Sequence, residues 1–440
     1  MKKRLLATLL SSTLVMTSLA GCSSKSENGD MVTELTKPIT IEMWHYMNGG
    51  QAEVLNEIIE DFNATNDKEI TVNAISQGSI VDLNKKVISA AQSNSLPAII
   101  NVYPDVATGL IEDKKLVNLS SFINDKNVGM ADEMDDFVDA FIQETSQWNN
   151  GEVYGLPMTK STEVLYVNKN MLESLGYTLE DLEDLTFEKL AEISNKAVTE
   201  LGVAGFGFDS SSNAFISSLK MDGLDFVDSK GTINVDNEWV REYMTFFQKQ
   251  AESGAFRIAG EDKFLSNPFV NQKMLCYQGS SAGYAYLNND GAFEIAVVEV
   301  PVFEGKDKAV MQQGASLFVT NNVSAEAQYA AYEFVKFATN AENTAKFATA
   351  TGYLPVRKSA VETEIVKNIL NDETSLYSQV YNVAQKSLPY AYYTPAINNA
   401  QSARTVAQEK YEAFMSGSIK DVEVLVDDIV SQVQTSIGRN

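Results

Sequence analysis

From Ile39 onward the chain switches repeatedly between a two-residue and a 3.6-residue hydrophobic period. Ile39, Ile41 and Met43 alternate into Trp44, and Val54, Leu55, Ile58, Ile59 and Phe62 then share one face of a helix over 51–63. Ile70, Val72 and Ala74 alternate again, a helix is predicted around 83–91, and an apolar strand at 98–103 follows Pro97. A further helix is expected near 132–144. The pattern resumes with a strand at 164–167, a helix at 187–201, a Gly-rich strand at 202–208 and a helix at 238–251. Strands separated by helices pair mainly in parallel, because a parallel crossover needs a long connection that a helix supplies. The fold class is therefore α/β.

A chain of 440 residues exceeds what one hydrophobic core usually serves, so two lobes are expected. The order changes after the second set of helices. Short strands at 274–277, 293–300 and 315–320 follow with fewer helices between them, as expected of a chain crossing between lobes. Such crossings form a hinge. Beyond Ser324, which sits as an N-cap, the remainder reads as helix: 325–339, 342–350, and a tail over 398–433 broken at Ser416-Gly417-Ser418.

Lys2, Lys3 and Arg4, an apolar run from Leu5 to Ala20, and Leu19-Ala20-Gly21-Cys22 read as a lipoprotein signal over 1–21. The run is shorter than a bilayer-spanning helix, and Cys22 is the expected lipidation site, anchoring the chain on the extracytoplasmic face of a cell membrane. The small polar stretch over 22–37 is a flexible tether. With Cys22 acylated, Cys276 has no disulfide partner. A net charge of −25 disfavours nucleic acid as a partner. The single histidine, His45, and the lack of a Cys/His cluster leave little material for a metal site or a histidine-based triad, so no metal and no cofactor are expected.

Specific words accompany the periodicity. They are Trp44-His45-Tyr46-Met47-Asn48-Gly49, Leu96-Pro97-Ala98-Ile99-Ile100, Val153-Tyr154-Gly155-Leu156-Pro157, Val164-Leu165-Tyr166-Val167-Asn168-Lys169, Gly314-Ala315-Ser316-Leu317, Ala341-Glu342-Asn343 and Thr351-Gly352-Tyr353-Leu354-Pro355. Taken in order, the chain resembles the family 1 extracellular solute-binding proteins of ABC importers. The resemblance implies the two-lobed type II periplasmic-binding-protein fold, with each lobe a mostly parallel sheet flanked by helices and the ligand cleft at the hinge. The expected division is 38–158 with 312–355 for the N-terminal lobe, and 159–311 with 356–440 for the C-terminal lobe. Within the family the chain is most similar to the branch that binds glycerol-3-phosphate and glycerophosphodiesters. That likeness implies ligand contacts at Ser280 or Ser281, Gly314, Tyr353 and Arg404, and Ser161 is a further candidate. Three positions depart from the branch: Ile80 in place of a tyrosine, Pro104 in place of an acid, and no tryptophan over 209–215. They favour a carbohydrate, mono- or oligosaccharide, over a glycerol phosphate. The implied partners are that ligand and the transmembrane subunits of an ABC permease, with the protein acting as a monomer.

Sugar recognition needs flat aromatic faces and planar polar groups in a cleft. Trp44, His45, Tyr46 and Asp105 are candidates from the residues themselves. Each also has a structural reading: Trp44 as core beneath a helix, His45 as a brace for the loop after the first strand, Asp105 as the start of a helix. Arg404 would otherwise form an exposed ion pair, and the acids Asp132, Glu133, Asp135 and Asp136 read as a solvated helix face. The expected action is closure of two lobes on a ligand, without covalent chemistry. A glycan-degrading lipoprotein is the rival of another class, and it needs a carboxylate pair that no motif nominates.

Overall fold

The computed structural model describes residues 31–438. The signal, Cys22 and the first part of the tether lie outside the described residues. Among the described residues there are twelve strands: β1 Ile39–His45, β2 Ile70–Ser76, β3 Ile99–Val102, β4 Gly155–Ser161, β5 Glu163–Asn168, β6 Phe206–Phe208, β7 Phe256–Ile258, β8 Cys276–Ser280, β9 Ile295–Val298, β10 Val310–Met311, β11 Gln313–Val319 and β12 Ala391–Tyr392. They form two five-stranded sheets, β2-β1-β3-β11-β4 and β7-β6-β8-β5-β9, and a short parallel pair of β10 with β12.

In the first sheet β1 pairs in parallel with β2 and β3, while β11 enters antiparallel between β3 and β4. In the second, β6 runs parallel to β7 and β8, and β5 runs antiparallel to β8 and β9. The first sheet thus takes its late strand, β11, from the return of the chain, whereas the second is built from the consecutive strands β5 to β9. The backbone passes between the sheets at Ser161–Glu163 and again at Met311–Gln313, and Gln313 stands opposite Ser161 in the β11–β4 ladder.

The helices form where hydrophobic residues recur at the helical period. Leu55, Ile58, Ile59 and Phe62 bury one face of Gly50–Thr65. Ser79 and Asp82 close a capping box on Ile80–Gln92. Ser324 accepts the Ala327 amide at the start of Ala325–Ala338, as its sequence position implied. The helix expected over 132–144 is split. Ala131–Asp136 is a 3-10 turn, and only Asp139–Glu144 is α-helix, because Phe137 and Val138 leave the helical path to enter the core. The acidic turn is exposed in part, yet Glu133 and Asp136 also face the buried Arg357 guanidinium.

One large core fills the first sheet and its helices, from Ile41 to Ala338, and a second fills the other sheet, from Leu165 to Val433. Val356, Tyr377, Tyr381 and Ala384 join the first core, whereas Val380 and Val383 join a cluster on the second sheet. The helix Leu376–Ser387 therefore has one face in each body. Among the described residues no helix is long and apolar enough to cross a membrane, and no group of three or more His, Cys, Asp or Glu could hold a metal ion. Cys276 is buried, and its thiol donates to the Gly205 carbonyl.

Candidate ligand-binding site

The parallel strands of both sheets end towards one cleft, the position where open α/β sheets place their ligands. β1 leads into Tyr46, and β3 leads into Tyr103, Pro104 and Asp105. In the other body β6 leads into Asp209 and then the helix Ser211–Lys220, which carries Ser212 and Asn213. Between them lies a narrow pocket, partly open to solvent. Tyr103, Asp105, Glu144, Gln312, Gln313 and Gly314 line it from one side, and Thr394, Gln401 and Arg404 from the other.

Arg404 is held rather than free. Its Nη2 donates to Asn213 Oδ1 at 2.6 Å and to Ser212 Oγ at 3.3 Å. The Asn213 amide is itself oriented, since its Nδ2 donates to Glu163 Oε1 at 2.8 Å and to Gln313 Oε1 at 3.0 Å. Gln278 gives Glu163 a second donor at 3.0 Å. Burial pushes the Glu163 carboxyl above its ordinary range, and these amides together with Arg404 draw it part of the way back. Asp105 is likewise raised by burial and eased by the Val106 amide and Arg404. Beneath the other wall, Lys160 is fully buried, pairs with Glu144 and donates to the Gly314 carbonyl at 3.0 Å.

The structure brings together some of the residues expected from sequence and separates others. Asp105, Gly314 and Arg404 share the pocket. Tyr46 and Tyr353 stand beside it, their hydroxyls 3.4 Å apart, with Tyr46 also 3.1 Å from Thr159 Oγ1. Tyr353 stacks on Phe347 at 5.8 Å. Ser161 is buried at the end of β4 opposite Gln313, in the hinge itself. Ser281 accepts the Thr162 amide at 3.3 Å, and Ser280 caps the turn after β8 by accepting the Ala282 amide. Both serines brace the crossing strand rather than line the pocket. Trp44 lies on the opposite face of β1, packed among Leu83, Val87 and Ile100 with Lys86 over its ring at 4.5 Å. Strand alternation is the reason: Met43 enters one core, so Trp44 must enter the other. Glu144, Gln312, Gln313, Thr394 and Gln401 carried no sequence signal. Glu144 is one acid among many, and the other four are polar residues whose neighbours in space are remote in sequence.

His45 is buried, and its Nδ1 accepts the Met47 amide at 3.1 Å, which fixes the loop after β1. Burial lowers its pKa to about 4. A base whose folded pKa lies below its unfolded value of about 6.5 loses stability as pH falls through that interval. At pH 5 the cost is about 2 kcal/mol relative to pH 7. The substitution His45→Asn keeps an acceptor for the Met47 amide, so it is expected to remove that part of the acid slope. Denaturant unfolding of both proteins at pH 7 and pH 5 checks this, and equal slopes would reject it.

The pattern of known proteins agrees with this geometry. Residues 57–372 match the model of the bacterial extracellular solute-binding protein family. An sn-glycerol-3-phosphate-binding periplasmic protein of Rhizobium meliloti is 23% identical over 90% of this chain and 94% of its own length. Among solved structures, a glycerophosphocholine complex of a Mycobacterium tuberculosis protein superposes with a TM-score of 0.77 at 21% identity, covering 92% of this chain and 99% of that one. An ABC substrate-binding protein of Listeria monocytogenes in complex with cycloalternan gives 0.78 at 16% identity, covering 92% and 100%. With its two sheets of type II periplasmic-binding-protein form and the family match over most of its length, the chain belongs to the bacterial extracellular solute-binding proteins and is a binding protein, not an enzyme.

Proposed function

We propose that this protein captures a neutral carbohydrate, mono- or oligosaccharide, by closure of its two lobes and delivers it to the membrane subunits of an ABC importer. In this reading Cys22 carries the lipid that holds it, as a monomer, at the extracytoplasmic face. The observation that supports the carbohydrate over a phosphate is the charge of the pocket. Asp105 and Glu144 line it against Arg404, Glu163 and Lys160 lie behind the lining, and both cations are already engaged by protein groups. A phosphate dianion would enter a site that is negative before it arrives, whereas sugar hydroxyls can donate to the carboxylates and accept from Arg404 and the glutamine amides. Tyr46, Tyr103 and Tyr353 supply ring faces at its edge.

Closure needs no covalent step. If the empty protein were 99% open, reversing that ratio would take about 5.5 kcal/mol of preference for the closed form. Thermal unfolding against maltose and xylose oligomers, simple hexoses, glycerol-3-phosphate and glycerophosphocholine tests the reading. Ligand at about 100 times its dissociation constant adds roughly 2.7 kcal/mol to the native state. A rise with saccharides alone is expected, and a rise with the phosphates alone would overturn the choice of ligand. For the ligand so found, Arg404→Gln is expected to weaken binding by about 10- to 100-fold, the value of charge-assisted hydrogen bonds, and also to lower the unliganded melting temperature, since Arg404 bonds Asn213 and eases Glu163. Calorimetric titration measures it.

A further inference from the structure

A second cavity adjoins the first. It runs between the helices Ile80–Gln92 and Pro104–Glu112 on one lobe and residues Asn398–Ser402 on the other, and it shares Tyr103, Asp105 and Gln401 with the pocket described above. Its walls differ in kind from those of the pocket. They carry six aliphatic side chains, Ile80, Val81, Ile88, Ala91, Val106 and Leu110, beside polar ones that include Asn84, Lys85, Gln92 and Asp113. Val81, Asn84 and Ile88 follow at helical spacing along one stripe, and Val81 and Ile88 are 54% and 51% exposed. Large aliphatic side chains so exposed, side by side in a groove, ordinarily mark a binding surface. The Asn84 Oδ1 oxygen in the same wall is shielded from solvent and accepts no hydrogen bond. The far side is closed by direct contact between lobes, where Asn398 donates to Glu112 and its Oδ1 would lie 3.2 Å from a Cβ on Gly109.

We infer that this groove receives an apolar group carried by the ligand itself, so that the natural ligand is an amphiphilic glycoside with its polyhydroxyl head at Arg404 and its hydrocarbon or aryl portion between Val81, Ile88 and Leu110. The inference rests on the carbohydrate reading for the head group. Continuity selects this occupant: the groove opens into the pocket past Asp105 and Gln401, so a substituent leaving the head group enters it directly. Both lobes form its walls, so the apolar group is held by the closed form and adds to the drive for closure.

The test is calorimetric titration of the protein with n-alkyl β-D-glucosides and β-D-maltosides from methyl to octyl, each below its micellar concentration. Affinity is expected to rise two- to fourfold for each added methylene, approaching the value for full burial. Val81→Glu and Ile88→Glu should flatten that rise and leave the methyl glycosides as they were. Glutamate suits both exposed helix positions, and at Val81 it lies in the first turn, where negative charge is favoured, so folding is retained. Ile365→Glu, at an exposed aliphatic residue elsewhere, should change nothing. Equal affinity for methyl and octyl glycosides would overturn the proposal. If no glycoside binds, the neutral dye N-phenyl-1-naphthylamine decides separately. One dye per chain, lost in Val81→Glu and Ile88→Glu, would retain the apolar site while the carbohydrate reading falls. Absence of dye binding would overturn the site as well.

Discussion

Gly314→Ala is expected to destabilise the protein by about 4 kcal/mol or more, at the extreme of single substitutions. Gly314 has φ 117°, a conformation that residues with a Cβ rarely adopt. An added Cβ would also lie 1.6 Å from the Thr159 carbonyl oxygen and 2.7 Å from its carbon, both backbone atoms of the neighbouring strand. Relief requires β4 and β11 to separate by more than an ångström at the pairing that carries the hinge. The same movement takes the Gly314 carbonyl away from Lys160. Denaturant unfolding measures the loss, and a change below about 1 kcal/mol would show that the hinge ladder yields without cost.

Lys160→Met is expected to cost about 3–5 kcal/mol at pH 7, because it leaves the buried Glu144 without its cation. Burial already raises the Glu144 carboxyl above its ordinary range, and Lys160 opposes that rise. Without Lys160 the folded-state value climbs further. A carboxyl whose folded pKa exceeds its unfolded value of about 4.5 favours the native state when protonated, so its contribution is present at low pH and lost as pH rises. The deficit of Lys160→Met should therefore shrink on acidification. The double variant Lys160→Met/Glu144→Gln should recover at least half of it, since no charge is then stranded. Unfolding curves of wild type, single and double variants at pH 7 and pH 5 check both points. A single variant with a pH-independent deficit would mean that Glu144 reaches water instead.

These groups show what the sequence could and could not disclose. The alternation of Ile39, Ile41 and Met43 and the helical face of Leu55, Ile58 and Phe62 are local signals, and signals of this kind gave the two α/β bodies and most of their elements in order, while β4 at the hinge and the helices Ser211–Lys220 and Leu376–Ser387 were missed. Gly314, Tyr353 and Arg404 were found through likeness to a family and Asp105 from the residue itself, and they gather at one cleft. Lys160 and Glu144 were not found, because their meaning lies in a contact between two segments that nothing in either segment announces. Thr394 lies on a stretch without periodicity, and Gln401 lies on an exposed face in the first turn of the helix Ala400–Met415. Trp44 marks the opposite limit: an aromatic residue in a family word drew the eye, and the strict alternation of a strand assigned it to the packed face. Residue type signals what a side chain can do, whereas register and crossing decide what it meets.

The helix Leu376–Ser387 binds the two bodies in a way that hydrogen bonds at the crossings do not. Tyr377, Tyr381 and Ala384 are seated in one core while Val380 and Val383 are seated in the other. Neither body can melt without exposing half of this helix, and so the loss of one strips apolar cover from its neighbour. The helix thereby couples the stability of the two bodies. Severed halves would each carry a greasy wound, and a chain still emerging from the ribosome cannot complete its first core until this late helix has been made.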